Sequence, residues 1–164
     1  MYEKELQRIL TASQNNALTF FVGAGVSALS GAPTWKRLIH AISDRLGQAR
    51  KDEYSSDEYL QIPQMFYYSL GENKEEYYTF VKAQLHSSPM LPNVIHREML
   101  NLNPVSFITT NYDTLLEDAA VQYCQSFKVV SRDEDVPTIF GDRFILKLHG
   151  DLYVNLYHIL PITL

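Results

Sequence analysis

The chain is poor in cysteine, in tryptophan and in positive charge, and each shortage excludes something. Cys124 is the single cysteine, so neither an internal disulfide nor a cysteine-based zinc cluster can form within it. Cys124 itself reads as a small buried residue on a helix. Lysine and arginine number 14 against 19 aspartates and glutamates, a net charge of -5. That balance argues against general binding to nucleic acid or to an anionic membrane, both of which need a basic excess. No stretch reaches the ~18 apolar residues that span a bilayer. Met1-Tyr2-Glu3-Lys4-Glu5-Leu6-Gln7 lacks the apolar run of a signal peptide. A cytoplasmic protein is expected, with no nucleic-acid partner and no membrane partner. The histidines, His40, His86, His96, His149 and His158, do not cluster at ligand spacing, so no metal site is expected. All but His149 read as surface or packing residues.

What is present is an ordinary globular mixture, 46% hydrophobic and 20% charged over 164 residues, the size of one domain. The spacing of Leu6, Ile9 and Leu10 predicts an amphipathic helix over residues 3–16, stopped at Asn15-Asn16. Leu18-Thr19-Phe20-Phe21-Val22 is a short apolar run, the pattern of a central strand buried on both faces. Thr34 is a suitable N-cap for a helix carrying Trp35, Leu38, Ile39, Ile42 and Leu46 and ended by Gly47. Residues 48–58 read as an exposed connection. A tyrosine-rich helical insert follows, about 57–102, with Tyr77, Phe80, Val81 and Leu85 as one stripe and Pro63, Pro89 and Pro92 as punctuation. Strands are then expected at Val105–Thr109, Phe127–Val130 and Phe144–Leu148, and Thr114-Leu115-Leu116-Glu117 has the form of a capping box.

Strands alternating with helices predict an α/β fold on a parallel sheet. Ligands of such sheets sit beyond the carboxyl ends of the strands. Three polar motifs fall there: Gly23–Ser27, Asn111–Asp113 and His149–Asp151. Parallel strands would align all three on one edge.

Gly23-Ala24-Gly25-Val26-Ser27-Ala28 fits the G-x-G-x-x-G/A dinucleotide fingerprint, in which the first glycine serves a tight turn and the second lets a pyrophosphate approach the backbone. The acidic residue expected ~20 positions later is missing, since Asp44 falls inside a helix pattern, which counts against a dehydrogenase. Asp113 and Thr114 can be explained as helix caps. His149, at a strand end beside a glycine, is a general-base candidate.

Taken in order, Gly23-Ala24-Gly25-Val26-Ser27, Gly31-Ala32-Pro33, Thr109-Thr110-Asn111-Tyr112-Asp113 and Leu148-His149-Gly150-Asp151 resemble the signature of the Sir2 (sirtuin) superfamily. They are most similar to its prokaryotic SIR2-like branch, many members of which are associated with anti-phage defence. The resemblance spans roughly residues 18–151. It implies a Rossmann-like domain that uses NAD as substrate and cleaves the nicotinamide–ribose bond. The Gly23, Ala24, Gly25 and Ser27 turn would cradle the pyrophosphate. Asn111 would orient the ribose and an attacking water, Asp113 would contact the nicotinamide carboxamide, and His149 would be the general base. Sirtuins usually carry Pro-Asp-Phe-Arg where this chain has Pro33-Thr34-Trp35-Lys36. Trp35 could cover the nicotinamide pocket in place of the phenylalanine, and Lys36 could stand for the arginine. The absent four-cysteine zinc module favours NAD hydrolysis. An NAD-dependent protein deacylase, or an inactive truncated NAD-binding or interaction module, are the alternatives. Thirteen apolar-rich residues follow Asp151, where Sir2-type domains continue with further strands. A truncated product, or a homo-oligomer or other partner covering the C-terminal sheet edge, is the expectation.

Overall fold

A computed structural model describes residues 2–85, 89–138 and 141–151. Among these residues four short strands form one parallel sheet: β1 (Thr19–Val22), β2 (Ser106–Thr109), β3 (Lys128–Val130) and β4 (Phe144–Lys147), in the order β1-β2-β4-β3. The register aligns Val22 with Thr109 and Thr109 with Lys147, so the carboxyl ends of three strands are level. The helices are α1 (Tyr2–Gln14), α2 (Ala24–Ala28), α3 (Trp35–Arg45), α4 (Ser56–Ser69), α5 (Lys74–Leu85), α6 (Val94–Asn101) and α7 (Leu115–Gln122), with a 3-10 turn at Asp133–Thr138. The α/β, Rossmann-like parallel sheet that the sequence predicts is the one observed.

Two apolar cores result among the described residues. The sheet core joins Val22, Phe107 and Ile145 to Met99 and Leu100 of α6 and Leu116 and Ala119 of α7. Phe107 is fully buried between Phe20, stacked at 5.8 Å, and Phe127 at 5.3 Å. Burying one such ring stabilises by roughly 1.5–3 kcal/mol. The second core is helical: Leu38, Ile39 and Ile42 of α3 meet Ile62 and Phe66 of α4 and Tyr77, Tyr78 and Val81 of α5. The helical stretch expected over 57–102 is thus shared, α4 and α5 closing on α3 while α6 packs with the sheet.

Several local expectations change. β1 lies at an edge of the four described strands, not in the middle, and Phe21 is 67% exposed. The apolar face of α1 is exposed at Leu6, Ile9 and Leu10. Pro63 does not interrupt the chain; it sits inside α4 with its ring buried, so packing outweighs the lost backbone donor. Cys124 is exposed and off the helix, with φ 53°. It is the left-handed residue that ends α7: its N–H reaches the Val121 carbonyl at 3.1 Å, and Gln125 N–H reaches Ala120 at 2.8 Å. The stop at Asn16 has the same form, with φ 50° and Ala17 N–H on the Ala12 carbonyl at 2.8 Å. Thr34 caps α3 through Arg37 N–H, as its position predicts. The C-terminal segment 152–164, to which the truncation and partner expectations refer, lies outside the described residues, as do His86 and His158.

Candidate active site at the carboxyl edge of the sheet

The level strand ends bring the three motifs to one edge, and specific bonds join them. Thr109, the last residue of β2, donates its hydroxyl to the Val22 carbonyl at 2.8 Å and accepts the Asn111 N–H at 3.0 Å. Asn111 is 9% exposed; its Nδ2 donates to Ser27 Oγ at 2.9 Å. The strand end, the glycine-turn helix and the asparagine are therefore indexed to one another. Asn111 Oδ1 is buried and has no hydrogen-bond partner. A buried acceptor left unmade costs about 1–3 kcal/mol, so it points to something that would satisfy it.

Gly23 is extended (φ -107°, ψ 177°), a conformation open to any residue, so the expected tight-turn role does not explain it. Space does: nothing lies within 4 Å of where a Cβ would stand on Gly23 or on Gly25. Bare backbone faces open volume, which a polar ligand can approach. α2 has only five residues, so its dipole adds little. Positive φ is required one turn later, at Gly31 (87°). The segment with half-buried Pro33 and half-exposed Trp35 follows; the bonds around Asn111 do not include these two. Lys36 donates to the Asp52 carbonyl, on the connection before α4.

Asp113 Oδ1 accepts the Leu115 N–H at 3.1 Å, so aspartate, not threonine, caps α7. Thr114 makes no cap bond; its hydroxyl reaches Asp118 at 2.9 Å. The expected capping box fails because Glu117 is taken by a lysine that sequence reading passed over. Lys147 ends β4 with a buried side chain. Its Nζ donates to the Asp113 carbonyl (2.8 Å), Glu117 Oε1 (2.9 Å) and Asp151 Oδ2 (2.8 Å). One ammonium thus ties the Asn111–Asp113 loop to the His149–Asp151 loop. Burial alone would lower its pKa; the Glu117 and Asp151 carboxylates outweigh that and hold it above the ordinary value. The signal in the sequence was a lone charge inside an apolar strand.

His149 is exposed at this edge, its ring 6.0 Å from that of Tyr112, and Gly150 beside it turns at φ 80°. Tyr112 also packs against the helical core, and burial pushes its phenol up to about 12. Among the described residues no group of three or more histidine, cysteine or acidic side chains could hold a metal, and no helix is long and apolar enough to cross a membrane.

The edge combines an open glycine backbone, a buried amide with a free acceptor and an accessible imidazole. Residues 105–159 match the model of the SIR2-like domain. Over 147 residues the chain is 42% identical to defense-associated sirtuin 2 of Bacillus subtilis, a match covering 89% of this chain. The chain carries a SIR2-like domain. Other relatives of this SIR2-like chain are the NAD(+) hydrolase ThsA of Cytobacillus dafuensis, 26% identical over 149 residues and 90% of the chain, and an NAD-dependent protein deacetylase of Staphylococcus epidermidis, 32% identical over 124 residues and 73%. The matches cover 14%, 29% and 47% of these three relatives, so the chain spans less than half the length of each.

Proposed function

We propose that this SIR2-like domain binds NAD at the carboxyl edge of its sheet and hydrolyses the nicotinamide–ribose bond, in the cytoplasm, as part of prokaryotic anti-phage defence. The observation that carries the reading is Asn111: a buried amide, fixed by Ser27 and Thr109, whose one free acceptor sits beside an unobstructed glycine turn. The residues present fit the ligand. Open backbone at Gly23, Ala24 and Gly25 would receive the pyrophosphate, and Asn111 Oδ1 would accept from a ribose hydroxyl or from the attacking water. In this reading Asp113 would add a polar contact to the carboxamide while capping α7, and Pro33 and Trp35 would border the nicotinamide end.

Hydrolysis breaks the glycosidic C–N bond with its electron pair going to the nicotinamide nitrogen, which departs neutral. Water oxygen bonds to the anomeric carbon and its proton passes to His149. Charge develops on the sugar as in glycoside cleavage, so the domain's task is to position water and accept one proton. Names of relatives favour this chemistry, one being an NAD(+) hydrolase. Another is a deacetylase, which makes the deacylase the second reading.

Incubation of the protein with NAD tests this. Free nicotinamide and ADP-ribose are expected, with Asn111→Ala and His149→Ala each slowing release by about 10²–10⁴-fold, the size of a lost general base. Release that occurs only with an acyl-lysine peptide favours the deacylase. A folded wild type as silent as both variants leaves an interaction module. Loss of phage protection in cells carrying the same variants tests the defence role.

A further inference from the structure

We infer that Asn93, which lies outside every motif singled out above, is a positioning residue that latches the glycine-turn helix at residues other than the one Asn111 holds. It begins α6, and its side chain is divided between two tasks. Oδ1 accepts the Ile95 N–H at 2.9 Å, capping α6. Nδ2 crosses 67 and 63 residues of sequence to donate to the Val26 carbonyl and to Ser30 Oγ, both at 2.8 Å.

The Val26 carbonyl needs that donor. The N–H four residues on belongs to Ser30, and it is spent on Ser27 at 2.9 Å. α2 is one turn and a half, too short to hold itself. It is gripped through Ser27 by Asn111 and through Val26 and Ser30 by Asn93. The backbone of Asn93 is fixed as well: its N–H donates to His96 Nδ1 at 3.1 Å, and His96 is buried. α6 belongs to the sheet core, so the latch ties the glycine turn to the rigid part of the fold.

The functional consequence rests on the NAD reading: a turn held by Asn111 alone would receive the pyrophosphate less well. Asn93→Asp separates latch from cap. Aspartate caps a helix as well as asparagine, but it cannot donate and sets an oxygen against the Val26 carbonyl. Asn93→Ser caps, too, and is too short to reach; it serves if the aspartate fails to fold. Amide exchange over residues 24–31 is expected to quicken roughly tenfold in either variant, the size of one neutral hydrogen bond, while exchange in α6 stays unchanged. KM for NAD is expected to rise by about tenfold with kcat altered far less, since the proton-transfer groups are untouched. Unchanged exchange in α2 overturns the latch. Faster exchange with unchanged KM overturns its positioning role. A wild type that binds no NAD overturns the NAD reading, and exchange then still decides the latch.

Discussion

On the β1 side of the site, the glycine turn is held by three neutral hydrogen bonds from Asn93 and Asn111. On the β4 side, the two loops that carry Asn111 and His149 are held by one buried ammonium and two carboxylates. Bonds to charged groups contribute about 1.5–3 kcal/mol each, and neutral ones about 0.5–1.5. The side that would position the reacting groups is thus pinned hard, and the side that would admit a long ligand is pinned lightly. Tightness where geometry decides rate, and give where a ligand must enter, is a division the fold makes with side chains alone.

The largest test of this contrast is Lys147→Met. It strands two carboxylates, so a loss of about 3–5 kcal/mol is expected, lowering the melting midpoint by roughly 10 °C. A midpoint within about 2 °C of wild type, the smallest shift a 1 kcal/mol loss would give, would break the contrast. Acid probes the lighter side. His96 accepts the Asn93 N–H through Nδ1, so its ring must be neutral there, and burial lowers its pKa against a smaller opposing pull from Asp113. A histidine with a depressed folded pKa is protonated more readily when unfolded. Stability is then complete above the unfolded value of about 6.5 and falls as pH drops through it, by at most about 1.4 kcal/mol per pH unit, levelling below the folded value. Melting curves from pH 7.5 to 5 should show that slope, and His96→Gln should flatten it. The smallest effect on stability belongs to Gly25→Ala. Its methyl meets open space inside a helix, so the fold should gain up to ~1 kcal/mol. NAD affinity, measured by calorimetry, should fall at the same time, and unchanged affinity would show that the space above Gly25 is not the ligand's.

The sheet was legible because each strand carries a compact apolar run followed by a polar turn, and parallel pairing needs only that order. The alignment of the three motifs followed from it. What escaped was contact between residues distant in sequence. Asn93 drew no reading of its own in the helical stretch, and its bonds to Val26 and Ser30 are invisible to local pattern. Lys147 read as one more strand residue. Recruiting Glu117 to it cost α7 its capping box, a tertiary demand overriding a local one. β1 was misplaced because an apolar run does not say whether it has a neighbour on each side. Cys124 was misplaced because a C-terminal stop is a matter of backbone hand and not of hydrophobicity.

The Thr109 hydroxyl, spanning 87 residues to Val22, also sets a schedule. Asn111 gains its orientation only once β1 and β2 are zipped, and its loop is anchored only once β4 has joined them. Such distant pairings form late, after the local helices. During synthesis the emerging chain therefore carries the glycine turn for most of its length with nothing to work against. The three motifs are thus brought to one edge only when the last described strand is in place.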